Sequence, residues 1–515
     1  MLEIQNSLFL KFTILTCFCV TLASTQAQAS HLQCVNMFDQ PQTAFAGVDI
    51  DLIREMQARH KSKQEKMLQI LTTSQGFEKL EATRGIVADH DNDFTFELPE
   101  KAVRGDQGQT GDCYVEAPFN AIEEFAMSQQ MLFGDQTLSR PYMLFFTYLE
   151  KSGKHIDKII AMRRDSVKLG NQTILKKIKP AITDGGYSDE VLFFLKKYGA
   201  VLESAMPQNA NSRNSGPLLA ELNSYLYKKS YELWNLAEAF DKKSKALQIR
   251  MKTGQDKVEL ERMTADQMKV LLAEKRNILG GAFLILEKGL GTPPTTFTTQ
   301  LPIEGSKEGQ QASVMRTFTP REFALNYLKI NPDEWVNVSN LRTLPRNQVY
   351  QVKFQDMNVP VRRLNLDARR MKHIIRNSLL AGVRVPFDSN FGPGVNVRNG
   401  DMKLGTDSTE GMFPWSRKQA PRKMSPFEMT MLNITDADHE TEFTGFLQPK
   451  GHADPLAFKV ENQWTDQVGF DGNFKMYGDW FDLYVDGIMV HKSFLTADEL
   501  AIYEGKPVIL PAINE

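Results

Sequence analysis

The chain has 515 residues, of which 42% are hydrophobic and 24% are charged, the usual composition of a folded globular protein. This length accommodates two or three domains. The formal charge of −2 argues against nucleic acid or an anionic membrane surface as the main partner, because strongly basic surfaces bind both of these.

The N-terminus has the pattern of a secretory signal peptide. Lys11 precedes the apolar run Phe12 to Leu22, and the small-residue triplet Ala27-Gln28-Ala29 follows. A positive start, a short apolar core and a small-x-small site are typical of a cleaved signal, and the run is too short to span a bilayer comfortably. We therefore predict a signal peptide at 1–29 and an exported mature protein, periplasmic or secreted, without a membrane span. A retained N-terminal anchor is the alternative.

The first part of the mature chain predicts mainly helices. Residues 30–100 read as an N-terminal arm that ends in an extended segment, Asp93–Leu98. Four segments of this part of the chain are predicted to be helical, because they have apolar residues at intervals of three and four or are rich in Lys, Glu, Leu, Ala and Met. The predicted helices are Asp51–Thr72, the run from the Gly-rich turn at 106–111 to about Leu132, Tyr187–Tyr198 and 218–279.

Beyond Pro294 the chain predicts short strands separated by Gly, Pro, Asn and Asp. The strand-like runs are Val349–Phe354, Val383–Phe387, Thr441–Phe446 and Ala457–Glu461. Helices early and strands late indicate an α+β protein with two packed lobes. We expect a helical lobe at 101–300 with a helical insertion at about 218–279, a β-rich lobe at 301–495 and a C-terminal tail at 496–515.

Cys113 is the candidate nucleophile. Once the signal peptide is removed, Cys34 and Cys113 remain, too few for a disulfide framework, although a single bridge between them is an alternative. Cys113 follows a Gly-containing turn and begins an apolar helix, whose positive end favours the thiolate. A lone cysteine is more often an inert buried residue. Gln107, which can fold back and form an oxyanion hole with the Cys113 backbone N–H, and the aromatic Tyr114 favour catalysis instead.

The segment Asp106–Tyr114 resembles the active-cysteine signature of the papain superfamily. Further segments resemble the bleomycin hydrolase / aminopeptidase C branch of that superfamily. These segments are Phe94–Pro99, Ser139–Glu150, Asp184–Gly186, Lys196–Gly199, Leu290–Thr298 and Asn377–Phe387. The resemblance implies a papain-like two-lobe fold, with a helical lobe and an antiparallel β lobe, and a cysteine-type peptidase that hydrolyses peptide substrates. The sequence contains no zinc, calcium or nucleotide-binding motif, so we expect no metal and no cofactor.

The resemblance also assigns the remaining catalytic residues. The run from His439 to Phe446 resembles the family's histidine strand, and Phe458 to Trp464 resembles its Asn-x-Trp segment. His439 would act first as base and then as acid, while the amide oxygen of Asn462 would hold the ring in one tautomer and orientation. Trp464 would shield that hydrogen bond from water.

The same branch implies substrate contacts and an assembly. Gly185 and Gly186 resemble the segment that bonds the substrate backbone, and with Trp464 they are the candidate substrate-binding residues. The helices of the insertion imply a ring-shaped homohexamer. The tail after Ala512 is shorter than the tail that guards the cleft in this branch, so we expect a more open cleft and a choice between aminopeptidase and short-peptide endopeptidase action.

Some residues depart from the family pattern. Asp112 places a negative charge beside the thiol, which disfavours the thiolate, and Pro118 interrupts the predicted helix. Gln463 and Thr465 replace small residues beside Asn462 and Trp464. These departures keep open a second hypothesis, a non-catalytic peptide- or protein-binding protein on the papain fold.

Overall fold

The structure is a computed structural model. It describes residues 50–58, 66–67, 69–70, 73–74, 93–100, 105–164, 178–250, 254–303, 313–352, 360–392, 394–404, 428, 431 and 437–510. The predicted signal peptide and the last five residues of the tail therefore lie outside the described residues. The chain divides into two units, Met1–Ser74 and Gln75–Glu515. The first contains helix α1 (Ile50–Ala58), which begins one residue before the helix predicted at Asp51–Thr72.

The helices concentrate in the first half of the second unit. They are α2 (Cys113–Ser128), α3 (Arg140–Arg164), α4 (Ser188–Tyr198), α5 (Ala210–Arg213), α6 (Gly216–Arg250), α7 (Gly254–Leu290), α8 (Ala368–Leu380), α9 (Gly478–Tyr484) and α10 (Ala497–Glu504). The described residues of the segment 218–279 belong to the two long helices α6 and α7, which pack against each other and against α3. Leu222, Leu226 and Leu233 recur at helical spacing on α6 and are buried, which explains why this charged segment packs along one face.

Helix α2 contains one difference from the sequence prediction. Pro118 lies inside the helix, yet α2 continues as far as Ser128. A proline removes one backbone N–H and its ring crowds the preceding turn. Most of α2 is buried, including Val115, Phe119 and Ile122, and we attribute the continuity of the helix to this packing.

Most strands form the second lobe, whereas the two at 297–302 and 313–318 pair with each other in a separate sheet and contribute Phe297 and Leu301 to the core of the helical lobe. The strands are named in chain order. They are β1 (Phe96–Glu97), β2 (Phe297–Pro302), β3 (Ser313–Phe318), β4 (Trp335–Ser339), β5 (Gln348–Val352), β6 (Val361–Asn365), β7 (Val385–Ser389), β8 (Val395–Asn396), β9 (Asp401–Met402), β10 (His439–Leu447), β11 (Ala457–Glu461), β12 (Asn473–Tyr477), β13 (Val485–His491) and β14 (Val508–Ile509). Among the described residues, twelve strands form one sheet in the order β14-β5-β6-β4-β13-β7-β10-β11-β12-β9-β8, with β1 paired to β10. The central pairs β7–β10 and β10–β11 are antiparallel, whereas β4–β6, β9–β12 and β5–β14 are parallel.

Two hydrophobic cores correspond to the two lobes. The first contains residues of α2, α3, α4, α6 and α7, and the second lies between the central strands, α8 and α9. Asp367 caps α8 by accepting a hydrogen bond from the Arg370 N–H at 2.8 Å, and Met371, Ile374 and Leu379 are buried on one face of the helix. This spacing directs the apolar face of α8 onto the sheet.

Buried charges join the lobes behind the cysteine. The Arg384 guanidinium, just before β7, lies 2.9 Å from Glu124 of α2, 3.3 Å from Glu442 of β10 and 2.7 Å from Glu461 of β11. The Asn120 side chain of α2 donates to Glu442 at 2.9 Å. These contacts hold the helix that begins at the cysteine against the strand that begins at the histidine.

Candidate active site

The candidate nucleophile lies where the sequence predicts, at the start of a helix. Cys113 is the first residue of α2, and Asp112 precedes it as the N-cap residue. Cys113 is a free thiol, while Cys34 lies outside the described residues. The backbone N–H of Glu440 donates a hydrogen bond to the Cys113 sulfur. Because Glu440 immediately follows His439, β10 brings the segment that carries the histidine against the thiol.

The thiol is less acidic than the sequence predicts. Removal from water, followed by the negative charge of Glu440, raises the pKa of Cys113 to about 12, against the lowering effect of the Glu440 N–H. Asp112 makes a smaller contribution in the raising direction. The expectation of a lowered pKa is therefore wrong for the free protein, because desolvation and nearby carboxylates outweigh the end of the helix dipole.

The negative charge expected at Asp112 is also weaker than its residue type suggests. Burial, followed by the charge of Glu116, raises the pKa of the Asp112 carboxyl well above its usual range. The hydroxyl of Thr110 donates a hydrogen bond to it. A carboxyl with a raised pKa holds its proton more readily, so it opposes the thiolate less than an exposed aspartate would.

The imidazole of His439 is enclosed by an amide and two aromatic rings. Its Nε2 lies 3.0 Å from Asn462 Oδ1, and Trp464 stacks on the ring with centroids 5.0 Å apart. The edge contact with Phe391 has a centroid distance of 4.9 Å. Because an amide oxygen only accepts hydrogen bonds, Nε2 is the donor, which leaves Nδ1 as the nitrogen that can accept a proton. Burial lowers the pKa of His439, while the bond to Asn462 opposes this effect.

Gln107 lies in the turn that leads into the cysteine and is anchored at two points. Its backbone N–H donates to the Gln463 carbonyl oxygen at 2.9 Å, and its side-chain Nε2 donates to the Thr110 carbonyl oxygen at 2.7 Å. A primary amide carries two hydrogens, so one remains for an oxyanion. The first backbone N–H groups of α2, including that of Cys113, have no partner within the helix and can supply a second donor.

The two glycines that are candidate substrate-binding residues, Gly185 and Gly186, differ in their surroundings. A Cβ on Gly185 would meet no atom within 4 Å, whereas a Cβ on Gly186 would come within 2.6 Å of Tyr114 Cε2. The space on the Cβ side of Gly185 is therefore open. Tyr114, the aromatic residue after the cysteine, is fully buried and fills the space beneath Gly186.

Sequence reasoning missed two residues that hold this part of the cleft. The Asp184 carboxylate accepts hydrogen bonds from the Gly111 N–H at 2.6 Å and from the Ser215 hydroxyl. Lys151 Nζ donates to the Gly185 carbonyl oxygen. These bonds tie the cysteine turn to the glycine pair. A carboxylate directly before two glycines is a signal that could have identified Asp184, but Lys151 lies in α3 without any local sign of its role.

Further observations concern metals and membranes. No group of three or more His, Cys, Asp and Glu side chains in the described ranges is arranged to hold a metal ion. Within the part of the chain that the structure describes, no helix combines the length and the hydropathy needed to cross a membrane.

A thiol at the start of a helix, opposite a histidine–asparagine pair on the sheet of a second lobe, is the arrangement expected of a cysteine peptidase. The Peptidase C1-like family matches residues 47–265 and 243–514 of the chain. The chain therefore belongs to the Peptidase C1-like family. This membership confirms the papain-type resemblance seen in the sequence, and it favours an enzyme over the non-catalytic alternative.

Similar proteins support the same conclusion. Aminopeptidase C of Streptococcus thermophilus is 28% identical over 445 residues, which cover 85% of this chain and 91% of that protein. Aminopeptidase C of Lactobacillus delbrueckii subsp. lactis is 27% identical over 428 residues, with coverages of 81% and 86%. The crystal structure of PepW from Lactobacillus rhamnosis has a TM-score of 0.73 at 24% identity and covers 90% of this chain and 97% of that chain. This likeness confirms the α+β fold.

Proposed function

We propose that this protein is a thiol aminopeptidase that uses Cys113, His439 and Asn462 to hydrolyse peptide bonds. The observation that carries the proposal is the position of β10. One of its residues, His439, bonds Asn462 at 3.0 Å, and the next, Glu440, donates its N–H to the Cys113 sulfur. The same strand therefore carries the oriented imidazole and contacts the nucleophile.

The chemistry begins with proton transfer within a neutral pair. The raised pKa of Cys113 and the lowered pKa of His439 mean that the free protein holds a thiol and a neutral imidazole. His439 Nδ1 accepts the thiol proton as Cys113 Sγ attacks the substrate carbonyl carbon. The carbonyl π electrons move to oxygen, where Gln107 Nε2 and the Cys113 backbone N–H stabilise the negative charge.

Collapse of this intermediate completes the first half of the reaction. The C–N bond breaks, the leaving amine takes the proton from His439, and a thioester remains on Cys113. Water then attacks the thioester while His439 accepts its proton. The C–S bond breaks to release the carboxylic acid product, and the Cys113 sulfur takes the proton from His439, which restores the thiol and the neutral imidazole. The bond from Asn462 keeps the imidazole in the orientation that both steps require.

The aminopeptidase assignment rests on the similar proteins. Those matching over most of the chain bear the names aminopeptidase C, aminopeptidase G and aminopeptidase W. The open space on the Cβ side of Gly185 supports binding of a short extended peptide along the cleft. Gly186 and Trp464 would border the same path.

The test compares a peptide with a free N-terminus and its N-acetylated form. We expect wild type to cleave the free form and Cys113→Ala to cleave neither. A thiol-specific alkylating agent should label Cys113 stoichiometrically, and His439→Ala should slow that labelling. Retained cleavage by Cys113→Ala would refute the mechanism, and no labelling between pH 5 and 8 would favour the non-catalytic alternative. Equal cleavage of both peptides would indicate endopeptidase action.

We also propose export and a ring-shaped homohexamer. The signal-like residues 1–29 support export, and the resemblance to the bleomycin hydrolase / aminopeptidase C branch supports the hexamer. N-terminal sequencing of the secreted protein should begin at Ser30, and light scattering should give six times the mass of one mature chain. An uncleaved N-terminus or a monomer would contradict the respective proposal.

A further inference from the structure

One peptide group in the turn before the nucleophile is hydrogen-bonded at both of its edges. The Gly111 N–H donates to Asp184 Oδ2 at 2.6 Å. The carbonyl oxygen of the same peptide group belongs to Thr110, and it accepts a hydrogen bond from Gln107 Nε2 at 2.7 Å. The Asp184 carboxylate and the Gln107 amide therefore bind opposite edges of one peptide group.

The stiffness of a peptide group links these two contacts. A trans peptide group is planar, and its C=O and N–H point in opposite directions. The carboxylate that fixes the direction of the Gly111 N–H therefore also fixes the direction of the Thr110 carbonyl. Hydrogen bonds that follow one another in a chain also polarise each other, so the negative charge of Asp184 makes the Thr110 oxygen a stronger acceptor.

The orientation of the Gln107 side chain depends on this carbonyl. Gln107 is 8% exposed, and its Oε1 is buried without a hydrogen-bond donor among the described residues. The bond from Nε2 to the Thr110 oxygen is thus the contact that holds the amide group. Because a carbonyl oxygen only accepts hydrogen bonds, this contact also determines where the second hydrogen of Nε2 lies. That hydrogen is the one assigned above to the oxyanion.

The Asp184 carboxylate is itself held by elements outside the turn. Its Oδ2 also accepts a hydrogen bond from the Ser215 hydroxyl, immediately before α6, and its Oδ1 accepts one from the Tyr148 hydroxyl of α3. A Cβ on Gly111 would lie 3.2 Å from Asp184 Cβ, so a glycine here allows the peptide group to approach the carboxylate closely. The helices of the first lobe therefore determine where the carboxylate lies, and the carboxylate determines where the turn lies.

We propose that Asp184 is a positioning residue of the oxyanion hole, because it holds the Thr110–Gly111 peptide group that orients the side-chain amide of Gln107. In this role Asp184 acts through Gln107 and does not bind the reacting carbonyl group itself. Donors that are already in place stabilise the developing charge without rearrangement during the reaction. The inference rests on the proposed function and adds to it the residue that keeps the oxyanion donor in place.

The first test is Asp184→Ala, which removes the acceptor of the Gly111 N–H. We expect kcat for a fluorogenic alanyl coumarin amide to fall by about 10- to 150-fold, the range for a hydrogen bond to a charged group. KM should stay close to the wild-type value, because the lost stabilisation belongs to the transition state. Iodoacetamide alkylates Cys113 by displacement of iodide and forms no oxyanion. Its labelling rate should therefore stay unchanged, which also shows that the variant is folded at the site.

A double-mutant cycle with Gln107→Ala distinguishes positioning from a general structural effect. If Asp184 acts through Gln107, Asp184→Ala should lower kcat in the wild-type background but cause no further loss in the Gln107→Ala background. A purely structural role of Asp184 would lower kcat by the same factor in both backgrounds.

Two further variants serve as controls. Asp184→Asn retains an oxygen that can accept from the Gly111 N–H, so it should recover part of the activity, to about 3- to 10-fold below wild type, since a neutral acceptor forms a weaker bond than a charged one. It takes the place of Asp184→Ala in the cycle if the alanine variant does not fold. Tyr148→Phe removes a bond to the other oxygen of the same carboxylate and leaves the Gly111 bond intact, so its kcat should stay close to that of wild type.

Three results would overturn the proposal in an active wild-type protein. They are an unchanged kcat in the Asp184 variants, a loss of kcat that persists in full in the Gln107→Ala background, and a loss in Tyr148→Phe as large as that in Asp184→Ala. Each of these would leave the proposed function intact. If wild type does not hydrolyse the substrate, the proposed function fails and the inference fails with it.

Discussion

Arg384 provides a quantitative test of how the lobes are joined. Replacement by methionine retains a long apolar side chain but removes the cation that lies between Glu124, Glu442 and Glu461. Breaking a buried ion pair by removing one partner typically costs about 3–5 kcal/mol. The Glu124 side chain is 17% exposed and can rehydrate, and Glu442 keeps its bond from Asn120. We therefore expect the lower end of that range, about 3 kcal/mol.

Urea denaturation followed by tryptophan fluorescence measures this loss, provided that the slope with denaturant is unchanged. The matched control is Arg369→Met. Arg369 pairs with Asp454 at 3.0 Å, but the two side chains are 67% and 37% exposed, and exposed pairs contribute at most about 1 kcal/mol. An Arg384→Met loss no larger than the control loss would refute the reasoning.

The same substitution should affect catalysis. Cys113 and Glu124 belong to α2, and His439 and Glu442 belong to β10. Without Arg384, the carboxylates on the two elements repel each other, and the nucleophile and base lose their fixed separation. We expect a lower kcat in Arg384→Met under conditions where the protein remains folded, as verified by circular dichroism, and an unchanged kcat in the Arg369→Met control.

Three further substitutions test the site. Gly186→Ala should destabilise the protein by about 1–3 kcal/mol in urea denaturation, since the new Cβ would come within 2.6 Å of the Tyr114 ring. The control Gly185→Ala should be tolerated. Equal losses of stability in the two variants would contradict this packing. Gln107→Ala should lower kcat by about 100- to 1000-fold, as expected for a lost oxyanion donor, while the rate of thiol alkylation should stay unchanged. A loss in kcat below about 3-fold would exclude Gln107 as an oxyanion donor. Burial raises the pKa of Glu440 to about 8, so its contribution to stability is present below its unfolded pKa of about 4.3 and is lost as the pH rises through 8. Urea midpoints should therefore fall less steeply between pH 5 and 8 in Glu440→Gln than in wild type, and parallel curves would show that Glu440 is not buried as described.

Much of the fold follows from short-range patterns. The helix Tyr187–Tyr198 was predicted from its apolar spacing and is observed at Ser188–Tyr198. The strand predicted at Ala457–Glu461 has the observed bounds. Such elements are predictable because the period of the apolar residues reflects which face of the element packs against the core.

The sequence also identified the segments that carry the candidate triad. Cys113 begins α2, as the local pattern predicted, and His439 begins β10, as the resemblance to the family's histidine strand implied. The contact between His439 and Asn462 joins the first residue of β10 to the residue that follows β11, the neighbouring strand in the sheet. The roles of these residues stay predictions until the substitutions above are made.

What the tertiary structure alone decided is the environment of these residues. The sequence suggested an acidic thiol from the helix start, but burial and Glu440 raise the pKa of Cys113 instead. Neither Glu440 nor Arg384 has a local pattern that marks its role, since their partners come from segments far apart in the chain. A helix or strand depends on neighbours a few residues away, whereas a pKa depends on water exclusion and on every charge nearby in space, and only the folded chain determines which charges those are.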